Sequence, residues 1–282
     1  MILIDLNQVL LAGLMAQISG QKNLKLEEDL VRHLVLNIIR GHVKQFRREY
    51  GEVVLCCDNK KYWRKEFFPF YKASRKKTRE KSDLDWHLIF NILGNLKQEL
   101  KDYFPYKSID VDGAEADDII GTLVPIYAGA ENKILILSSD GDFLQLQIYK
   151  NVKQYNPTQK KFIKSENPAA ELKEKIIKGD KGDGIPNMFS PSDCFVRDLR
   201  QKPITKGVLD KYLKEDVNNY SETDKSNYTR NATLIDLTFI PKEIKEKIIN
   251  TYDETKPASR QKLLNYFIEN KLKNLMDVIE EF

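Results

Sequence analysis

Asp140 and Asp142 stand two residues apart in Ser138-Ser139-Asp140-Gly141-Asp142-Phe143, directly after the apolar run Ile134-Leu135-Ile136-Leu137. Other acids follow the same plan. Asp5 closes Ile2-Leu3-Ile4, and Asp58 closes Val53-Val54-Leu55-Cys56-Cys57. Glu115, Asp117 and Asp118 open a helical pattern in Ala114-Glu115-Ala116-Asp117-Asp118, and Asp180 and Asp183 lie in Lys178-Gly179-Asp180-Lys181-Gly182-Asp183. Gathered carboxylates repel one another unless a cation neutralises them, and hard oxygen ligands suit Mg²⁺ or Mn²⁺. A phosphodiester is itself anionic, so a bare acidic pocket would reject it. Two divalent ions about 4 Å apart would reverse the local sign, activate a water and stabilise the leaving oxygen. That is phosphodiester hydrolysis without a protein nucleophile.

Each acid also has a structural explanation. Asp5 could simply end a strand, and Asp58-Asn59 and Asp140-Gly141 are good turn pairs. Acids at the start of a helix meet the positive end of its dipole, and residues 180–183 could be a polar linker. Their joint order and placement make the functional case. No Ser/His or Cys/His arrangement competes, because His33, His42 and His87 are scattered. Cys56, Cys57 and Cys194 follow neither a disulfide nor a zinc pattern, which fits a reducing, intracellular compartment.

The elements that must position these acids can be read from periodicity. Residues 1–6, 52–57, 107–111 and 133–138 read as strands, the last buried on both faces. In an open α/β sheet ligands bind beyond the carboxyl ends of such strands, where the acids fall. Leu10–Ala16 reads as a short helix, and Glu27–Tyr50, Asp85–Phe104 and the segment after Glu115 as longer ones. Residues 152–163 read as a hairpin turning at Asn156-Pro157. Beyond residue 165 the signals are helical: Ala169–Lys178, then about 204–215, 226–236, 241–252, 258–269 and 271–281.

Residues 60–81 have a different character. Lys60, Lys61, Arg64, Lys65, Lys72, Arg75, Lys76, Lys77, Arg79 and Lys81 interleave with Tyr62, Trp63, Phe67, Phe68, Phe70 and Tyr71, opposed only by Glu66 and Glu80. A solvated basic loop is the plain reading. Cations that neutralise phosphates beside rings that stack on unpaired bases are the nucleic-acid reading. Net charge over the 282 residues is only +4, so the sign of the charge matters less than its clustering. The length suits two domains. No run is apolar enough to span a bilayer, and the start reads directly into a strand rather than a signal peptide.

Taken in order, Leu3-Ile4-Asp5, Val54-Leu55-Cys56-Cys57-Asp58-Asn59, Tyr62-Trp63-Arg64, Glu115-Ala116-Asp117-Asp118, Ser138-Ser139-Asp140-Gly141-Asp142-Phe143 and Lys178-Gly179-Asp180 resemble the 5′ nuclease (flap endonuclease) superfamily. Within it, the chain resembles the T-even-type phage ribonuclease H group along essentially its whole length. The resemblance implies an α/β catalytic domain at 1–165, with a central, mostly parallel sheet flanked by helices (a PIN-like fold) and a helical arch at about 60–84. It implies an all-helical DNA-binding domain of helix-hairpin-helix type at 166–282.

The activity implied is divalent-metal-dependent 5′→3′ exonuclease and flap endonuclease action on RNA·DNA hybrid, duplex DNA and 5′-flap DNA. The task implied is removal of RNA primers during phage DNA replication, by a monomer in the cytoplasm of the infected host. Two Mg²⁺ ions, replaceable by Mn²⁺, are implied. Asp58, Glu115, Asp117, Asp140 and Asp142 would serve the first ion, and Asp5, Asp118, Asp180 and Asp183 the second. Lys72 and Arg75 would grip the scissile phosphate beside Asp117 and Asp140. Arg64, Tyr71 and Lys76 would bind the strand, with Tyr71 stacking on a base.

Gly184-Ile185-Pro186-Asn187 begins the family's hairpin, but Met188-Phe189-Ser190-Pro191 replaces its glycine turn, which leaves a potassium site there open. Lys202, Lys206 and Lys211 become the expected duplex contacts. A single-strand-binding protein at the C-terminal helices is implied. A sliding clamp would have to be met elsewhere than through an N-terminal tail. Two alternatives stand beside this reading. One is a catalytically inactive flap- or junction-binding replication protein. The other is a phosphatase, which would need an acid two residues after its nucleophilic Asp; Asp5 is followed there by Asn7.

Overall fold

A computed structural model describes residues 1–18, 27–82, 84–129 and 132–282, except the side chains of Lys76 and Thr78. In chain order it contains β1 (Ile2–Asp5), α1 (Leu6–Ile18), α2 (Glu28–Tyr50), β2 (Val53–Cys57), α3 (Trp63–Phe67), α4 (Ser74–Glu80), α5 (Trp86–Tyr103), β3 (Lys107–Asp110), α6 (Ala116–Tyr127) and β4 (Ile134–Leu137). A 3₁₀ segment, Gly141–Ile148, then leads to β5 (Val152–Asn156) and β6 (Lys161–Ile163). The helices that follow are α7 (Pro168–Lys178), α8 (Lys206–Lys214), α9 (Glu222–Ile235), α10 (Lys242–Glu254), α11 (Arg260–Glu269) and α12 (Lys273–Met276).

The six strands form one sheet in the order β3-β2-β1-β4-β5-β6. The first five are mutually parallel, and β6 returns antiparallel to β5. Every residue of β1, β2 and β4 is buried. That is why these strands read as unbroken apolar runs: helices cover both faces of the sheet. Strand order reverses at β1, which lies between β2 and β4. The crevice beyond their carboxyl ends is the topological switch point, where open α/β sheets bind ligands.

The basic segment, where the arch was expected, contains two short helices, α3 and α4. Its aromatic residues differ from the expectation. Phe68 and Tyr71 are 5% and 2% exposed and pack with Ile176, Ile185, Ala232, Leu234 and Ile235 into a small core of their own. These rings serve packing, and Phe67, at 50% exposed, is the one that faces solvent.

The division into an α/β half and a separate helical half needs correction in space. Leu237, Ile240, Ile244, Ile248 and Tyr252 join the core on one face of the sheet, against Val54, Ile109 and Ile120. Leu263, Tyr266, Phe267, Leu275 and Phe282 join the core on the other face, with Val35, Leu96 and Phe104. Helices α7 to α9 build a lobe with one small core of its own and another shared with Phe68 and Tyr71 of the arch. The expected helix at 271–281 breaks into α12 and a 3₁₀ turn, Ile279–Glu281. Phe282 is fully buried, its ring 5.7 Å from Phe104 and 5.3 Å from Phe267. Its carbonyl accepts from Arg47 at 2.5 Å, so the chain turns inward rather than continuing as a helix. The helix read at 10–16 is longer, α1, and begins directly after Asp5.

Candidate active site

Asp5 ends β1, Asp58 follows β2, and Asp140 follows β4, so the parallel register alone brings three carboxylates to one edge. Each is held by a local donor. Asp5 accepts from the Ser138 hydroxyl (2.9 Å) and from the Gln8 amide (3.3 Å). Asp58 accepts from the Asn7 side chain (2.9 Å) and from the Ala116 amide in the first turn of α6 (2.8 Å). Asp140 accepts from the Asp142 amide (2.9 Å) as N-cap of the 3₁₀ segment. The Gln154 amide donates to the carbonyls of Ser138 and Asp140 (3.0 and 2.6 Å), which fixes the loop.

Asp117 enters the cluster from α6. Among the described residues no hydrogen-bond donor reaches its carboxylate. Burial and the nearby charges of Asp140, Asp5 and Glu115 push its pKa well above the ordinary value, against the opposing pull of Lys72. Burial, Asp58 and Asp140 push Asp5 up to about 7. Burial, with Asp183 and Asp180, also raises Asp140. Four carboxylates thus share a pocket with too little positive charge.

Asp142, Asp180 and Asp183 form the adjoining part. Lys175, in the last turn of α7, reaches both Asp142 and Asp180, the latter at 3.0 Å. Asp183 accepts from Arg75 (2.5 Å) and from the Tyr71 hydroxyl (2.8 Å), and its amide donates to Asp180 (3.1 Å). Burial alone would raise Asp183, but Lys72 and Arg75 outweigh it and hold the carboxyl below its ordinary value. Gly179 and Gly184, at φ +69° and +73°, shape the loop. A Cβ on Gly179 would lie 2.4 Å from the Ile185 carbonyl oxygen.

Lys72 is the cation at the meeting point. Its ammonium lies 2.6 Å from Glu115 and 3.7 Å from Asp183. Burial would strip its charge, but Asp183 and Glu115 more than restore it, so the group stays protonated. Its backbone has φ +55°, which is unfavourable by about 1–2 kcal/mol for an L residue. The Lys72 amide bonds the Asp183 carbonyl at 2.7 Å and holds that conformation.

Several expected roles change. Asp118 is fully buried. It accepts from Arg64 (2.7 Å), the Trp63 indole (3.2 Å) and the Glu115 amide (2.9 Å), so it is a structural anchor rather than a metal ligand. Arg64 is 2% exposed; it also binds Glu115 (3.1 Å) and the Leu234 carbonyl (2.9 Å), and does not face a strand. Glu115, expected at the first ion, accepts from Arg64, Lys72 and Tyr71 and so also positions these groups. Tyr71 is buried, with its hydroxyl on Glu115 and Asp183, and offers no face to a base. The grouping of the acids also shifts: Asp5 lies with Asp58, Asp117 and Asp140, and Asp142 lies with Asp180.

Lys202, Lys206 and Lys211 are exposed on the helical lobe. Lys206 and Lys211 are five residues apart on α8, roughly 140° around the helix, so they do not share a face. The Lys76 side chain lies outside the described residues. Lys175 was not among the expected residues. A lysine in the last turn of an amphipathic helix reads as a complement to the helix dipole, and nothing local shows that two acids will meet it.

Among the described residues no three His, Cys, Asp or Glu side chains converge closely enough to hold a metal ion as they stand. Lys175 and Lys72 draw the carboxylates to themselves. The donor set is nonetheless that of a hard divalent cation: oxygen only, crowded, and short of positive charge around Asp5, Asp117 and Asp140.

A parallel sheet with strand-end aspartates at its switch point, spanned by a basic arch, defines a nuclease-type α/β site, and comparison with known proteins agrees. Residues 1–176 match the 5′-3′ exonuclease N-terminal resolvase-like domain, and residues 167–282 match the C-terminal domain of T4 RNase H. The chain belongs to the 5′-3′ exonuclease family and carries the C-terminal domain of its T4 ribonuclease H members.

Ribonuclease H of Enterobacteria phage T4 is 37% identical over 291 aligned positions, covering 99% of this chain and 95% of that protein. Flap endonuclease Xni of Shewanella sp. (strain MR-4) is 30% identical over 138 residues, covering 45% of this chain and 48% of that protein. The bacteriophage T5 5′-exonuclease with bound zinc shares the fold at a TM-score of 0.62 and 16% identity, covering 90% of this chain and 98% of that one.

Proposed function

We propose that this protein is a structure-specific 5′→3′ nuclease that hydrolyses phosphodiesters in RNA·DNA hybrid and duplex DNA, cuts 5′ flaps, and removes RNA primers in phage DNA replication. One observation carries the reading: crowded carboxylates at the sheet's switch point, facing Lys72 and Lys175. The domain matches and the 37% identity to the T4 enzyme support it.

Asp5, Asp58, Asp117 and Asp140 are the residues that would hold one Mg²⁺, and Asp142, Asp180 and Asp183, with Asp117 and Asp140 between the groups, a second; Mn²⁺ has the same ligand preference. Such ions supply a water that ionises near neutral pH and neutralise charge on the phosphodiester. The chain's own groups do the rest. Lys72 is a fixed cation rather than a base, because its acidic neighbours keep it protonated. Glu115, Tyr71 and Asp183 orient it. Arg75 is the exposed partner that can turn from Asp183 to a substrate phosphate. Ser138, Asn7, Gln8 and Gln154 keep the strand-end carboxylates aimed at the crevice. The exposed lysines of the helical lobe, Lys202, Lys206 and Lys211, would meet duplex phosphates.

The test is cleavage of a 5′-labelled flap and of an RNA·DNA hybrid side by side, with Mg²⁺ and with chelator. Short 5′-end products that vanish with chelator are expected. Uncut substrate that still shifts on a gel would replace this reading with that of an inactive junction-binding protein.

A further inference from the structure

Gln145, three residues after Asp142 in the 3₁₀ segment, is a polar side chain that the fold buries, at 9% exposed. A buried polar group needs partners, and here they are all backbone. Its side-chain amide donates to the Asp142 carbonyl at 2.7 Å and to the Ile235 carbonyl at 3.1 Å. Its side-chain oxygen accepts from the Leu237 amide at 2.9 Å. Two carbonyls and one N–H around the group allow a single orientation of the amide.

Ile235 is the last residue of α9, so its carbonyl is one of the four that a helix leaves without an internal donor. The neighbouring Leu234 carbonyl is taken by Arg64 at 2.9 Å, and Arg64 in turn holds Glu115 and Asp118. The end of α9 is therefore tied through Gln145 to the loop of Asp140 and Asp142, and through Arg64 to the start of α6. Gln154 holds the Asp140 carbonyl from β5 at 2.6 Å. That loop is thus pinned from the sheet on one side and from the helical lobe on the other. The Asp142 carboxylate itself meets Lys175, a cation that a divalent ion would displace. The backbone bond is what would keep the carboxylate aimed once an ion is in place.

We propose that Gln145 is a positioning residue for the metal-binding acids. It acts through Asp142: by fixing that residue's carbonyl against the end of α9, it sets the direction in which the carboxylate meets a divalent ion. The seating of the helical lobe becomes a condition for that geometry. The inference rests on the nuclease reading but can fail independently of it, because metal binding needs no cleavage. The same segment supplies a control. Gln147 has the same chemistry and a different address: its side-chain amide donates to the Ile163 carbonyl at 3.1 Å, and its side-chain oxygen accepts from the Ser165 amide at 2.9 Å.

The test is calorimetric titration of the whole protein with Ca²⁺ in wild type, Gln145→Met and Gln147→Met, followed by flap cleavage in Mg²⁺. Methionine keeps the reach of the side chain and removes its amide. Both variants should lose stability. Only Gln145→Met should bind Ca²⁺ more weakly, by about 10- to 100-fold, the usual cost of losing a group behind a metal ligand. Its kcat should fall while KM for the flap holds. Gln145→Asn, which keeps the amide but is one methylene too short, makes the same comparison where Gln145→Met does not fold. Wild-type Ca²⁺ affinity in the Gln145 variants, or equal weakening by Gln147→Met, would overturn the positioning role and leave the nuclease reading intact. The expected pattern of Ca²⁺ affinities without any cleavage by wild type in Mg²⁺ would overturn the nuclease reading and leave Gln145 in its role.

Discussion

Asp117 and Asp118 are neighbours in the chain with opposite surroundings. Asp118 is fully buried against the Arg64 guanidinium at 2.7 Å. Asp117 points into a cluster of carboxylates that raises its pKa. Helical geometry turns consecutive residues by about 100°, so one acid enters the core while the other enters the crevice.

The two positions should therefore respond differently to substitution. Asp117→Asn removes a carboxyl whose ionised form burial and its acidic neighbours disfavour, so melting temperature in chelator should hold or rise while metal-dependent cleavage is lost. Asp118→Ala leaves Arg64 buried with half its compensation and should cost about 3–5 kcal/mol of stability. Thermal denaturation of both variants, with a flap-cleavage assay of Asp117→Asn, checks the pair. Full cleavage by Asp117→Asn would remove it from the site.

Stability without metal should fall as pH rises. Asp5 is pushed up to about 7, and Asp117 and Asp140 are raised in the same direction. A carboxyl whose pKa rises on folding keeps its proton in the native state where the unfolded chain has lost it. The unfolded chain then binds fewer protons, so stability declines from about pH 4 to about pH 7. Asp183 has the opposite sign and loses its contribution only as pH falls below about 4. Melting temperature in chelator should be lower at pH 7.5 than at pH 5, and Mg²⁺ should restore more at the higher pH. A flat profile would contradict the crowding of these acids.

Lys175 should compete with a divalent ion, because it spans Asp142 and Asp180. Lys175→Met should lower stability in chelator and tighten divalent binding by about tenfold, equivalent to about 1.4 kcal/mol. Calorimetric titration with Ca²⁺ or Mg²⁺ reads this directly. Unchanged affinity would show that the lysine moves aside at no cost.

Tyr71→Phe separates a stacking ring from a positioning hydroxyl. The ring is retained, so a base-stacking role predicts little change. The structure predicts a loss of about 1.5–3 kcal/mol, because the hydroxyl donates at 2.8 Å to the Asp183 carboxylate, whose pKa Lys72 and Arg75 hold down. Chemical denaturation measures the first quantity, and kcat on a flap substrate shows whether Lys72 has lost its orientation.

Much of this protein is legible in one dimension. The apolar runs ending in Asp5, Asp58 and Asp140 gave the strands, and their shared ending gave the acidic edge, because parallel pairing carries equivalent strand ends to the same side. The amphipathic spacing of α2 and α5 was equally plain. Other features were decided only by tertiary packing. Burial turned Asp118, Arg64 and Tyr71 from expected ligands and strand contacts into internal supports, and desolvated charge demands partners that no local spacing reveals. Lys175 became part of the site because α7 packs beside the 3₁₀ segment that carries Asp142. The helices after residue 236 closed both faces of the sheet, because an apolar helix face is buried by whichever partner the whole fold provides. Sequence determined which groups could do the chemistry; three-dimensional packing decided which of them are left free to do it.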